Sequence, residues 1–120
     1  MDELLVADVM GWRAWLDEYE DSEAAVYLVL ARKGRLGPTT LTYAEALDEA
    51  LCSGWIDGHA RSRDADTTLR RFTPRRPRSN WSARNIGIVT RLEAEGRLRP
   101  RGQAEIARAK ANGHWEGNTV

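Results

Sequence analysis

The strongest constraint on the fold is a nearly continuous apolar run at residues 25–33, Ala-Val-Tyr-Leu-Val-Leu-Ala-Arg-Lys. The run contains β-branched and aromatic residues, and a loop with two glycines and one proline follows it. This pattern is typical of a strand at the centre of a sheet, buried on both faces. The rest of the chain must therefore supply neighbouring strands and helices to cover it.

Two later segments have the composition of strands. Residues 55–63 and 67–73 flank the sequence Asp-Ala-Asp, whose side chains favour a turn, so together they predict a β-hairpin. With residues 25–33 they give an expected sheet of three or more strands, which we expect to be antiparallel.

Helix signals occupy most of the remaining chain. Apolar residues from Val9 to Tyr19 recur at three- and four-residue steps, as on one face of a helix that covers a sheet. Thr42 and Glu45 have the spacing of a capping box, which predicts a second helix to about residue 53. Ser79 predicts the start of a third helix, over residues 80–95. Pro100 fits the first turn of a fourth, over residues 100–112.

These elements predict a single α+β domain over residues 1–120, in which a small antiparallel sheet packs against helices. A chain of 120 residues is long enough for one hydrophobic core, and no linker divides it. The only cysteine, Cys52, excludes an internal disulfide or a Cys-based zinc cluster, and we expect it to be a core residue. A chain with only one cysteine has no disulfide of its own, which favours a reducing compartment.

Charge is distributed unevenly along the chain. Residues 1–60 hold twelve acidic and four basic side chains, net −8, whereas residues 61–120 hold six acidic and fourteen basic ones, net +8. The halves therefore either complement each other internally or form a bipolar surface. An acidic N-terminus and the lack of a membrane-length apolar run predict a cytoplasmic protein without membrane insertion.

The segment from Leu69 to Asn85 carries six arginines and two prolines. Arginine binds carboxylates and phosphates at two points, and proline stiffens the backbone that carries it. The segment therefore predicts a site that accepts an anion or stacks an aromatic group. The predicted site residues are Trp55, Asp57, Arg71, Arg75, Arg76, Ser79, Asn80 and Trp81. The alternative is an internal ion-pair network in which the acids Glu45, Asp48, Glu49 and Asp57 neutralise these arginines.

Asp57 and His59 suggest a third possibility, an enzyme. Two residues apart on a strand, they would share a face and form a proton-transfer pair. His59 is equally well explained as a surface strand residue. With only two histidines in the chain, we expect no metal site, and the short Gly-Arg-Leu-Gly loop at residues 34–37 lacks the ending of a phosphate-binding P-loop. No cofactor is implied.

Two long motifs carry a family resemblance. Residues 41–58, Leu-Thr-Tyr-Ala-Glu-Ala-Leu-Asp-Glu-Ala-Leu-Cys-Ser-Gly-Trp-Ile-Asp-Gly, and residues 71–85 closely resemble the bacterial YdeI/OmpD-associated family. Residues 109–116 resemble its closing motif, so the resemblance spans about residues 12–115. It departs from the family at Ser53, where relatives often carry an aromatic residue. The resemblance implies a role in bacteriocin protection or antimicrobial resistance but no catalytic residues.

We therefore expect a small binding protein of a resistance or stress-protection type. Its ligand would be an anionic or aromatic small molecule or peptide, such as an antimicrobial peptide, a toxin or a natural product. The alternatives are a nucleic-acid-binding module that uses the basic second half and an enzyme that uses Asp57 and His59. The oligomeric state is left open by the sequence.

Overall fold

A computed structural model describes residues 3–115. In chain order its elements are β1 (Glu3–Leu4), α1 (Val9–Tyr19), β2 (Val26–Ala31), α2 (Tyr43–Cys52), β3 (Trp55–Ser62), β4 (Thr67–Pro74), α3 (Ala83–Ala94) and α4 (Pro100–Ala111). The predicted α+β domain is confirmed. None of the helices within residues 3–115 is long and apolar enough to cross a membrane.

The strands form one sheet in the order β1-β2-β4-β3. The apolar strand β2 is central, as predicted, and pairs antiparallel with β4, where Val29 lies opposite Leu69. The predicted hairpin of β3 and β4 is also present and antiparallel. The sequence analysis did not predict β1, which pairs parallel to β2 over Glu3 and Leu4 and makes the sheet mixed. Two residues are too short for any periodic pattern.

The two faces of β2 lie in different surroundings. Leu28 and Leu30 belong to a core cluster with Phe72 of β4 and Trp12 of α1. The Trp12 indole donates a hydrogen bond to the carbonyl oxygen of Ala46 at 3.0 Å, which fixes α1 against α2. On the opposite face, a smaller buried cluster contains only strand residues, namely Tyr27, Val29 and Leu69. Helices therefore cover one face of the sheet, and long strand side chains shield the other.

A second core lies where α2, α3 and α4 meet. Cys52 is fully buried there with Trp81, as its predicted core position required, and Trp115 packs against the same cluster. At Gly102, the first turn of α4 approaches the end of α2 so closely that a Cβ atom would lie 2.2 Å from the carbonyl oxygen of Cys52.

The start of α3 differs from the prediction. The N-cap is Ser82, whose hydroxyl accepts a hydrogen bond from the Asn85 amide at 3.1 Å, and not Ser79. The Trp81 amide instead donates to the carbonyl oxygen of His114 at 3.0 Å, and its indole is buried. Burial of Trp81 therefore keeps residues 79–81 out of the helix. The capping box of Thr42 and Glu45 is present as predicted.

Candidate functional site

The end of the β3–β4 hairpin and the loop after it enclose a groove of about 430 Å³. It is lined by Ile56, Thr73, Pro74, Arg76, Arg78 and Ser79. Ile56 and Thr73 are register partners, so they project from the same face of the hairpin. The volume is within the range of small-molecule sites, roughly 300–1,000 Å³. Apolar and cationic groups thus line the same groove.

Arg76 and Arg78 are exposed beside this groove. Neither forms an ion pair with an acid in residues 3–115. Ser79 lies in a turn, where its amide donates to the carbonyl oxygen of Arg76 at 3.0 Å. Of the predicted site residues, Arg76 and Ser79 therefore line the groove.

Three of the four acids considered as partners of the arginine segment, residues 69–85, bind elsewhere. Glu45 caps its own helix. Asp48 pairs with Arg91 at 2.9 Å, and the buried Glu49 pairs with Arg99 at 2.8 Å. An ion-pair network does exist, but it joins α2 to the segment around α3 and α4. Asp57 does pair with Arg70 of the arginine segment at 3.5 Å, but Arg76 and Arg78 have no acidic partner within residues 3–115.

Arg75 points away from the groove into the protein. Its side chain stacks on Trp81, with 3.8 Å between the guanidinium carbon and the ring centroid, and only 5% of the residue is exposed. Nη2 donates to the carbonyl oxygen of Asn80 at 3.1 Å, while Nε and Nη1 have no acceptor in the described part of the chain. Burial lowers the pKa of Arg75 to about 10, although the charges of Glu105 and Asp57 oppose this shift.

Asn80 and Trp81 hold the loop against the end of α4. The Asn80 side chain lies 2.6 Å from Nδ1 of His114, and Trp81 packs against Trp115 with 5.0 Å between ring centroids. A further hydrogen bond joins Asn112 to the carbonyl oxygen of Pro77 at 3.1 Å. The loop is therefore fixed to residues 112–115, which directly follow α4.

Trp55 and Asp57 lie apart from the groove. Trp55 is fully buried and donates from its indole to the carbonyl oxygen of Glu20 at 3.2 Å. Asp57 accepts a hydrogen bond of 2.7 Å from the Tyr43 hydroxyl and lies 3.5 Å from Arg70. Trp55 is accordingly a core residue, and Asp57 belongs to a separate polar cluster.

The polar cluster around Tyr43 was not predicted from the sequence. Arg70 lies over the Tyr43 ring at 4.3 Å, and Arg84 donates to the Tyr43 hydroxyl at 3.3 Å. Burial and, to a smaller extent, the hydrogen bond to Asp57 raise the pKa of Tyr43 above its usual value. Tyr43 is thus held as a neutral donor. The only hint in the sequence was its place next to the Thr42 cap.

Residues 4–105 match the family described as "Domain of unknown function (DUF8412)". The chain belongs to the DUF8412 family. No curated protein and no solved structure matches it. The matched span contains the groove, the Arg75–Trp81 stack and the Tyr43 cluster, so all three are parts of the DUF8412 domain.

A β-bulge in the DUF8412 domain separates Asp57 from His59. The register pairs on either side of it are Asp57 with Phe72 and Ala60 with Arg70. Two residues of β3 thus oppose one of β4, which changes the alternation of side chains. Asp57 reaches Tyr43 on the helix-covered face, whereas His59 lies 3.2 Å from the Tyr27 hydroxyl on the opposite face. The prediction that Asp57 and His59 share a face is wrong.

Arg71 lies on the face of the sheet that the helices leave uncovered. It is the register partner of Tyr27, whose ring lies 5.5 Å from the guanidinium carbon of Arg61. Two residues further along β4, Thr73 lines the groove. Because alternate strand residues share a face, Arg71 lies on the same face as Thr73 but does not line the groove.

No group of three or more metal-ligating side chains is close enough together to hold an ion within residues 3–115.

Proposed function

We propose that this DUF8412 domain binds a small ligand in which an anionic group is joined to an apolar or aromatic part. The observation that carries the proposal is the groove itself, where Arg76 and Arg78 have no acidic partner in residues 3–115 and face an apolar wall of Ile56 and Pro74.

The arginines of the groove suit the anionic group of such a ligand, and its apolar wall suits the remainder. Guanidinium groups form charge-assisted hydrogen bonds with carboxylates and phosphates, and these are stronger than bonds between neutral groups. Pro74 and Pro77 fix φ on both sides of Arg76, so less freedom is lost when the ligand orders the loop. Ile56 and Pro74 offer apolar surface to the remainder of the ligand.

The biological role we propose is protection. By sequestering an antimicrobial peptide, a toxin or another natural product in the cytoplasm, the protein would lower its free concentration. This step is supported by the resemblance of residues 41–58 and 71–85 to the YdeI/OmpD-associated family. Binding alone accounts for such a role, and no residue is assigned to catalysis.

The test is a binding titration that is monitored by calorimetry and by tryptophan fluorescence. The panel contains benzoate, phenyl phosphate, aromatic antibiotics that carry a carboxylate, and acidic and basic antimicrobial peptides. Arg76→Ala/Arg78→Ala is compared with Arg13→Ala/Arg35→Ala, which removes the same charge from exposed positions outside the groove.

We expect saturable binding of one class of compound. Losing two charge-assisted contacts should weaken it about tenfold or more in the groove variant. The control variant should bind like the wild type. Equal affinity of both variants, or equal loss in both, would remove the groove from the proposal.

The uncovered sheet face favours a second candidate, a single-stranded nucleic acid. Arg61 and Arg71 on that face have no acidic partner within residues 3–115, and Arg76 and Arg78 extend the same basic surface. Such binding would be dominated by phosphates and would fall steeply with salt. An oligonucleotide titration at several salt concentrations, repeated with Arg61→Ala/Arg71→Ala, tests it. An affinity that is independent of salt excludes it.

A further inference from the structure

We propose that Arg75 is the deep anion-binding residue of this site and takes a carboxylate or phosphate group of the ligand. The inference rests on the proposed binding function and adds a residue that does not line the groove. Three observations support it: the hydrogen-bond donors of Arg75, the partners of another largely buried arginine, Arg99, and the position of the loop.

The donors of Arg75 are incompletely used. A guanidinium group carries five N–H donors, and here one acceptor, the Asn80 carbonyl oxygen, serves Nη2. Nε and Nη1 are inaccessible to solvent and have no acceptor among residues 3–115. Stacking on Trp81 compensates for part of the lost hydration. The Trp81 ring offers no acceptor, however, to the N–H groups that point outward in the plane of the guanidinium. Buried donors of a charged group that lack acceptors are costly, and native structures rarely keep them without a use.

Arg99 provides an internal comparison. Its side chain is also largely buried, yet all three of its nitrogens donate: Nε to the Ser53 hydroxyl at 2.9 Å, Nη1 to the Glu49 carboxylate at 2.8 Å and Nη2 to the Glu49 carbonyl oxygen at 2.8 Å. The fold thus gives every guanidinium nitrogen of a buried arginine an acceptor where that arginine joins helices. Arg75 lacks such partners, which points to an acceptor that comes from outside the described chain.

The nearest carboxylates do not supply that acceptor. Both Glu105 and Asp57 act electrostatically on Arg75. Glu105, however, is paired with Arg108 at 2.7 Å, and Asp57 is bound by Tyr43 and Arg70. Neither forms an ion pair with Arg75.

The loop places Arg75 directly behind the groove. Its neighbours Pro74 and Arg76 line the groove, as does Ser79, which precedes the Asn80 carbonyl that holds Arg75. Ile56 also connects the two regions, because it lines the groove and packs against the cluster that contains Trp81. The groove and the free donors of Arg75 therefore lie on opposite sides of one loop. A local shift of the exposed residues 76–78 brings the anionic group of the ligand to Arg75, whose own amide stays bonded to the Gly54 carbonyl oxygen.

Arginine Nε–Hε resonances in NMR spectra give a direct test. The probes are inorganic phosphate and benzoate, titrated at constant ionic strength, and Arg75→Met identifies the Arg75 resonance while keeping an unbranched side chain against Trp81. We expect a saturable shift of this resonance with at least one probe. The probe that causes the shift shows whether Arg75 takes a phosphate or a carboxylate group.

The stability of Arg75→Met separates binding from a structural role. Because the variant removes a buried charge with unused donors, we expect unchanged or higher thermal stability together with affinity weakened about tenfold or more. An Arg75 resonance that does not move with either probe overturns the proposal, and so does a variant that loses stability but keeps the affinity of the wild type.

Arg76→Ala/Arg78→Ala distinguishes this inference from the proposed groove. If the Arg75 resonance still shifts with wild-type affinity in that variant, the Arg75 site stands and the groove fails. If ligand binding depends on Arg76 and Arg78 while the Arg75 resonance is unmoved, the groove stands and Arg75 is excluded.

Discussion

The contact between α2 and α4 at Gly102 makes a quantitative prediction possible. A Cβ added to Gly102 would lie 2.2 Å from the Cys52 carbonyl oxygen and 3.0 Å from that of Leu51. Both neighbours are backbone atoms, so no side-chain rotation relieves the contact. Ordinary van der Waals separation begins at 3.4 Å, and Gly102→Ala must therefore push α4 away from α2 by about 1 Å. That movement also strains the hydrogen bond from the Arg99 amide to the Cys52 carbonyl, which is 3.0 Å long.

The expected cost combines two opposed effects. Alanine gains about 1 kcal/mol over glycine in a helix interior, whereas overpacking costs about 1–3 kcal/mol and a strained hydrogen bond about 1 kcal/mol more. We expect Gly102→Ala to lower the free energy of unfolding by about 2 kcal/mol. For a domain of this size, that corresponds to a melting temperature lower by roughly 8 °C.

Gly87→Ala is the matched control, because an added Cβ at this exposed position of α3 meets nothing within 4 Å. It should stabilise the protein by about 0.5–1 kcal/mol. Urea unfolding followed by circular dichroism measures both variants. If Gly102→Ala is as stable as Gly87→Ala, the close approach of α2 and α4 is refuted.

Three further perturbations follow from buried groups. Glu49→Gln should lower the free energy of unfolding in urea by about 2–4 kcal/mol, because it removes the buried charge that faces Arg99. The control Glu95→Gln, in an exposed ion pair, should change it by less than about 0.5 kcal/mol. Similar losses in the two variants would contradict the network. Burial raises the pKa of Cys52 to about 11, so thiol reagents at neutral pH should label it only after denaturation, and rapid labelling of the folded protein would contradict its burial. The pKa of Tyr43 is raised on folding, so this group stabilises the fold below its unfolded pKa, and that contribution is lost as pH rises past the folded value. Spectrophotometric titration should show the tyrosinate of Asp57→Asn forming at lower pH than in the wild type, and an unchanged titration would argue against the hydrogen bond.

The elements were predictable from the sequence because their signals are local. The apolar run of β2 and the capping box of α2 lie where the patterns placed them. The start of α3 was misplaced because Ser79 and Ser82 are equally good caps by local rules. The burial of Trp81 and the hydrogen bond from its amide to His114, thirty-three residues later in the chain, decide between them.

The composition of the site was harder to predict than its location. The arginine segment does border a groove, but alternation along the loop sends Arg75 inward and Arg76 outward. No sequence pattern announces the bulge beyond the glycine at position 58, although the bulge decides that Asp57 and His59 lie on opposite faces. Nor does composition show which acids meet which arginines, because partners such as Asp48 and Arg91 are joined only by the fold.

The ion pairs between the two halves of the chain bear on its synthesis. Asp21 meets Arg101, and Glu49 meets Arg99, across gaps of 80 and 50 residues. A ribosome therefore releases a strongly acidic segment well before its basic partners exist. Until Arg97 and Arg99 emerge, Glu49 has no cation to accompany its burial, and mutual repulsion keeps the early segment expanded. Folding of this domain is thus coupled to completion of α4, and truncation before residue 99 should yield an unfolded chain rather than a smaller folded one.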